Sequence, residues 1–382
     1  MDRTAYDAIV VGAGIVGAAC ANELARREMR VCVVDRDGVA SGATSAGMGH
    51  VVVMDDSEAQ FALTRYSQEL WRAMRPELPN DVEFEQCGTI WVAADDEEME
   101  EVRRKHKYYG SRGVPTEELD ARALKNLEPN LRDGLAGGLM VSEDIVLNPP
   151  AATHFLIQKA QKRGTELRIS RSIARIGEGR VEFSDGSELK APVIVNAAGA
   201  WAPELTPGLE IRKRKGHLAI TDVYPNFARH QLVELGYLKS AHSIAGDSVA
   251  FNIQPRRSGQ VLIGSSRQYG AEHKEVDQGI VDKMMQRAQE YMPAIALMSI
   301  AHIRCGFRAA TPDKLPLIGP WTRDKSVFLA TGHEGLGITT SLATARILVD
   351  QIVGAKPEIP VEPYRPSRSI QSSVHLVPEG SR

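Results

Sequence analysis

The feature that most constrains this chain lies in its first 35 residues. Tyr6 to Val11 is a short, continuous apolar run, as expected of a strand buried on both faces of a parallel sheet. It feeds Gly12-Ala13-Gly14-Ile15-Val16-Gly17, then an alanine-rich helix pattern through Ala18, Ala19, Cys20, Ala21, Leu24 and Ala25. A second strand, Arg30 to Val34, ends in Asp35. A G-x-G-x-x-G run between strand and helix, with an acid closing the next strand, points to a dinucleotide site. Gly12 permits the tight turn, Gly14 lets backbone approach a pyrophosphate, and Gly17 lets helix pack on strand. The helix start at Ile15 and Val16 turns amide N–H groups and a dipole toward the phosphates. Asp35, with Arg36 beside it, is expected at an adenosine ribose. NAD and FAD both remain open at this point.

The next segment, Gly38 to His50, is a dense run of Gly, Ser, Thr and Ala. Ser41, Ala43, Thr44, Ser45, Gly47 and Met48 are expected to lay amides and small hydroxyls along a flat, polar ligand. The apolar Val51-Val52-Val53-Met54 that follows argues for burial of this loop.

Composition sets the class. The 382 residues imply two or three domain-sized units, and 43% are hydrophobic, enough to offset the entropy of ordering. With 46 basic and 49 acidic residues the net charge is −3, so no global attraction to nucleic acid exists. Cys20, Cys32, Cys87 and Cys305 form no CxxC pair, which argues against a disulfide framework or a metal site. No signal peptide and no transmembrane run is read; the longest apolar stretch, Ala8 to Ala21, is too short to span a bilayer. A cytoplasmic location is expected.

Further elements follow from pattern. Tyr66 to Met74, Ala151 to Arg163 and Val281 to Tyr291 have helical character. Gly88 to Ala93, Gly164 to Ile169, Gly216 to Thr221 and Gly259 to Gly264 read as strands, and Arg180 to Phe183 opens a hairpin turning at Ser184 to Ser187. Asp95 to Glu101 is an acidic run leading into a helix, read as a solvated face or a docking surface. Pro129 and Gly134 to Gly138 mark a loop. Ala191 to Trp201 is a buried strand ending in small residues, with Ala198, Gly199 and Trp201 expected at the ligand. From Pro360 the chain reads as an extended tail. Between the strands near 216 and 264 the βαβ rhythm is missing.

Two late elements complete the set. One is Cys305-Gly306-Phe307-Arg308-Ala309-Ala310-Thr311-Pro312-Asp313. The other runs from Val327 through Gly332, His333, Gly335, Leu336, Gly337 and Ile338 into a helix from Thr339 to Val353. It repeats the strand, glycine loop and helix order, so a second helix N-terminus is expected to face something electron-rich.

Together these motifs resemble the D-amino-acid oxidase-like flavoproteins, on the glycine oxidase and sarcosine oxidase side, with a nearer resemblance to flavoprotein β subunits of bacterial hydroxyproline dehydrogenases. Four elements match in order across almost the whole chain: Gly12 to Gly17 with Asp35, Ser41 to Met48, Asn196-Ala197-Ala198-Gly199 with Trp201, and the two late elements. The resemblance implies an α/β (α+β overall) fold, a Rossmann-like FAD-binding domain with an inserted antiparallel-sheet substrate domain. The implied division is 1–80, 141–212 and 300–366 for FAD, 81–140 and 213–299 for substrate, and 367–382 as tail. Relatives usually close the second strand with Glu, where this chain has Asp35. Some sarcosine oxidases tether FAD through a cysteine whose position falls here on Gly306, one residue from Cys305, so FAD is expected to be non-covalent.

The resemblance also implies a reaction: hydride transfer from the carbon bearing nitrogen of a small or cyclic amino acid to flavin N5, giving the imine. Arg308 matches the arginine that grips the substrate carboxylate, a bidentate task suited to guanidinium. Gly335 to Thr339 would face the flavin N1 and O2 edge as an anion hole. His50, His217 and His333 are candidates to line the pocket or accept a proton. Sarcosine oxidases carry a lysine on a strand corresponding to Gln260 to Gly264, which has none here, so electrons are expected to pass to a partner subunit or respiratory acceptor rather than to oxygen. Such a hetero-oligomer would also bring the chain to the inner membrane. Alternatives are a hydrogen peroxide-forming oxidase, a 2-hydroxy-acid dehydrogenase and a non-catalytic flavin-binding scaffold subunit.

Overall fold

The computed structural model describes residues 6–236 and 247–368. Most of the expected tail, 369–382, lies outside the described residues. A six-stranded sheet runs in the order Leu317–Trp321, Asp324–Thr331, Val193–Asn196, Ala8–Val11, Val31–Val34, Glu166–Arg168, all parallel except the first strand. Its central strands alternate between two apolar layers. Ala8, Val10, Val31 and Val33 face one cluster, and Ile9, Val11, Cys32 and Val34 face the other. A strand buried on both faces therefore needs no polar alternation. The first layer is built with helices Ile15–Arg26, Pro149–Gln161 and Gly337–Val353, which pack against one another.

The second large sheet has eight strands in the order Ile300–Ala310, Arg212–Val223, Gln260–Tyr269, Ser248–Pro255, Gln231–Glu234, Thr89–Ala93, Gly137–Val141, Thr116–Asp120. Every neighbouring pair is antiparallel except Gln231–Glu234 with Thr89–Ala93. The fold is thus mixed α/β, a Rossmann-like parallel sheet with additional antiparallel sheets.

Several expectations change. The glycines at 137 and 138 belong to a strand rather than a loop. A Cβ on Gly137 would overlap the Leu119 carbonyl, and one on Gly138 would stand 2.6 Å from the Trp91 carbonyl. They are there because neighbouring strands come close. Ile300–Ala310 pairs along nearly its full length with Arg212–Val223, from Ala310 opposite Arg212 to Ile300 opposite Thr221. The acidic run also has an internal task. Asp95 caps helix Asp96–Gly110 by accepting from the Glu98 amide (2.9 Å), Asp96, Glu97 and Glu98 fill its first turn, and buried Glu98 accepts from the Ala94 amide. Acids there complement the positive end of the helix dipole.

Candidate active site

A cavity of about 400 Å³ opens between the two large sheets. Every site residue expected from sequence lines it except Gly17, Ser45, Gly332 and Thr339. Those four act on packing instead. A Cβ on Gly17 would overlap the Gly12 carbonyl oxygen, and one on Gly332 would meet Thr311 at 2.7 Å. The Ser45 hydroxyl donates to Gly42 O (2.9 Å), and Thr339 donates to His50 O (2.8 Å).

At one end the glycine turn is built for close approach. Gly12 sits at φ +109°, where an L side chain is strained, and a Cβ there would overlap the Ala197 carbonyl. The Asp35 carboxylate ties this turn to its own loop. It accepts from the amides of Ala13 (2.7 Å), Asp37 (2.8 Å) and Gly38 (3.0 Å) while lining the cavity. Thr44 Oγ1 accepts from the Ile15 amide (3.1 Å), so that N–H is already engaged by protein. Ser41 likewise spends its hydroxyl on Gly38 O (2.8 Å). The loop's serines stabilise its turns, as short hydroxyl side chains often do. Arg36 stacks on the Trp201 ring at 4.4 Å, and Trp201 meets Phe307 edge-on at 5.8 Å, joining this end to the strand that carries Arg308.

The chemistry of the cavity fits FAD. Helices Ile15–Arg26 and Gly337–Val353 both begin at it, with Gly14, Ile15, Gly337 and Ile338 on its wall. The first amides of a helix have no intrahelical acceptor and carry positive potential, which suits a pyrophosphate at one terminus and an electron-rich ring edge at the other. Gly306 leaves no side chain for a covalent tether, and a Cβ there would collide with Ala46 at 2.9 Å. Cys305 does not line the cavity; its thiol lies 2.8 Å from Lys274 O.

Facing these helix ends, Arg308 lies opposite Arg214 in the antiparallel register, and its Nη1 donates to Ser266 O (2.7 Å). The guanidinium crosses over residue 216, where a Cβ would fall 2.6 Å from its Cζ. Glu334, its side chain 9% exposed, forms an ion pair with Arg214, and its backbone N–H donates to Ala309 O (3.0 Å). Burial pushes the Glu334 carboxyl above the usual range against the pull of Arg214, Arg308, Arg267 and Lys314. Four cations around one carboxylate leave this side of the cavity positive, a setting for an anionic group.

The histidines divide. His217 accepts from the Asp277 amide at Nε2 (3.1 Å) and pairs through Nδ1 with Ser266 Oγ (2.9 Å), so both ring nitrogens are committed. His333 Nε2 pairs with Thr344 Oγ1 (3.0 Å) and burial lowers its pKa to about 3. His217 thus has no ring nitrogen left for a substrate proton, and burial disfavours the protonated form of His333. His50 is also lowered to about 3 by burial, and its Nε2 is buried without a hydrogen-bond partner among the described residues.

Sequence reasoning missed Arg214, Arg267, Lys314 and Glu334, and also Gln60, Trp91, Gln231 and Asn252, all on the cavity wall. Arg214 sits in Arg212-Lys213-Arg214-Lys215, which reads as a solvated basic run; only the strand register shows that it points inward. Among the described residues no group of His, Cys, Asp and Glu is arranged to hold a metal, and no helix is long and apolar enough to cross a membrane.

Comparison with known proteins places these features. Residues 7–351 match the family described as DAO, FAD dependent oxidoreductase. The chain is similar to glycine oxidase of Geobacillus kaustophilus, 26% identical over 96% of this chain and 97% of that protein. The crystal structure of that organism's glycine oxidase superposes with a TM-score of 0.88, at 24% identity, over 96% of this chain and 100% of the other. It is similar also to hydrogen cyanide synthase subunit HcnC of Pseudomonas protegens, 25% identical over 98% and 99%. L-proline dehydrogenase from P. horikoshii shares the fold, with a TM-score of 0.83 at 23% identity over 95% and 97%. A glycine turn at one helix start, a second helix start on the same cavity wall, and a match over nearly the whole length lead to one conclusion: the chain belongs to the DAO family of FAD-dependent oxidoreductases.

Proposed function

We propose that this enzyme oxidises the C–N bond of a small or cyclic amino acid to the imine and delivers the electrons to a partner or respiratory acceptor. The observation that carries the reading is Arg308, a guanidinium on the cavity wall that acts on the Glu334 carboxylate together with Arg214, Arg267 and Lys314. Its fork suits a carboxylate bidentately, and Ser266 O holds it in place. Gly12, Gly14, Arg36 and Gly335 to Ile338 would hold FAD, which would supply the hydride acceptor. With both ring nitrogens of His217 committed, and burial disfavouring protonation of His50 and His333, the substrate amine would lose its proton before reaction rather than to a histidine. Leu336 and Ile338 set the second helix start on the cavity wall, where its dipole would favour an electron-rich group.

Relatives named glycine oxidase, and a fold neighbour named L-proline dehydrogenase, support an amino-acid substrate of proline, hydroxyproline, sarcosine or glycine type. HcnC is named as a subunit, which supports a hetero-oligomer in the manner of the hydroxyproline dehydrogenase β subunits. Segments 81–140 and 213–299, with the Arg308 strand, would form the substrate side. We place the enzyme in the cytoplasm, reaching the membrane through a partner. One observation favours an oxygen-using enzyme instead: Arg267, on the strand that carries no lysine between 260 and 264, lines the cavity. Turnover with oxygen and with an artificial dye, measured side by side on purified protein, decides this. Dye turnover at least ten-fold faster supports the dehydrogenase; equal rates overturn it.

A further inference from the structure

Leaving aside Arg214, whose guanidinium is ion-paired with Glu334, five side chains on the cavity wall carry a buried polar atom with no hydrogen-bond partner among the described residues: His50 Nε2, Gln60 Oε1, Trp91 Nε1, Gln231 Oε1 and Asn252 Oδ1. Gln231 is 2% exposed, Trp91 4% and Gln60 7%. A buried polar group left unpaired costs about 1–3 kcal/mol, so a concentration of them in one wall marks a place where something hydrogen-bonds.

Strand register sets their arrangement. Asn252 pairs with Val233, and Val233 pairs with Trp91, so the three share one face across adjacent strands. Gln231 is two residues from Val233 and shares that face. Trp91 is braced from behind by Lys105, whose Nζ lies 4.7 Å from the indole centroid and is ion-paired with Asp55. Asn252 in turn pairs with Gly264, two residues before Ser266, the residue that anchors Arg308. From that anchor to Asn252 is two residues along and one strand across, on the order of 8 Å by strand geometry. A small amino acid held at Arg308 would therefore lie within reach of this wall.

We propose that Trp91, Gln231 and Asn252, with Gln60 and His50 beside them, form a neutral subsite for an uncharged hydroxyl or carboxamide on the substrate. The inference rests on the amino-acid reading above. Carboxamides donate and accept, and the indole only donates, a set that matches a group doing both. No cation is among the five, which disfavours a second carboxylate, and an aliphatic side chain would leave the wall unsatisfied. Sites that hydrogen-bond a substrate hydroxyl reject the analogue lacking it far more strongly than apolar pockets sort by size.

The test is kcat/KM on holoenzyme for matched pairs: serine against alanine, hydroxylated against plain proline, and asparagine against aspartate. We expect the hydroxylated or amide member to be favoured at least ten-fold in one pair. Serine and hydroxyproline against asparagine tell hydroxyl from carboxamide. In Trp91→Phe and Asn252→Leu that ratio should fall toward unity, whereas Arg308→Lys should lower both members and keep the ratio. Equal rates within every pair, or a ratio untouched by both substitutions, overturns the subsite while leaving the amino-acid reading intact. Flavin lost, or its spectrum shifted, in Trp91→Phe and Asn252→Leu assigns these groups to the cofactor and also overturns it. If no amino acid reduces the enzyme, both readings fall.

Discussion

Arg308 reaches the cavity because residue 216 has no side chain. The guanidinium lies over Gly216, and an added methyl would stand 2.6 Å from Cζ, closer than any real contact. Gly216→Ala should therefore displace the fork and raise KM for the amino acid at least ten-fold; an unchanged KM would show that the fork is not what holds substrate. The cavity histidines carry a second expectation. His50 and His333 are both held near 3 by burial, and burial lowers His217 as well. The kcat/KM profile should then rise with substrate amine deprotonation and show no inflection near 6.5; an inflection there that vanishes in a histidine variant would contradict it. A third concerns Asp144, fully buried and pushed up by burial to about 7 while accepting from Gln68 (3.0 Å). Its folded pKa exceeds the unfolded value, so between about 4 and 7 the unfolded chain binds fewer protons than the folded one. Its contribution is full below about 4 and lost as pH rises through 7, about 4 kcal/mol in all. Asp144→Asn should flatten that part of the stability curve, read as Tm against pH; parallel curves would contradict the assignment.

At the scale of elements, the turn from Ala8–Val11 into Ile15–Arg26 depends on Gly17, whose Cβ would overlap the Gly12 carbonyl. Gly17→Ala should separate helix from strand, costing about 1–3 kcal/mol as overpacking does, and yield protein with a lowered Tm and depleted flavin. Full flavin content at unchanged Tm would refute this. That turn was legible in the sequence because strand, glycines, helix and acid each follow local rules. So were Val193–Asn196 and Gly337–Val353, each a continuous apolar pattern beside small residues. What escaped was set by neighbours rather than by local pattern. Thr116–Asp120 and Ser248–Pro255 carry polar residues that only pairing turns into strands. Gly137 and Gly138 look like loop residues until the Leu119 and Trp91 backbones come beside them.

Across the whole molecule, the cavity takes its two walls from distant chain segments. One wall comes from two helix starts 322 residues apart, at Ile15 and Gly337, and the other from strands whose register aligns Arg308 with Arg214 and Val233 with both Trp91 and Asn252. Sequence found most of the first wall, since glycine motifs announce themselves. It found two residues of the second, Arg308 and His217, and missed Arg214, Trp91, Gln231 and Asn252, because inward and outward residues of a strand differ only by register. The central claim joins the walls: an amino acid anchored at Arg308 reduces FAD lying against the helix starts. Anaerobic reduction of the purified holoenzyme measures this directly, following flavin absorbance as amino acids are added to wild type and to Arg308→Ala. The account predicts bleaching of wild type by at least one small or cyclic amino acid and a rate at least a hundred-fold lower in Arg308→Ala with flavin still bound. Bleaching by 2-hydroxy acids alone, or equal rates in the two proteins, would contradict it.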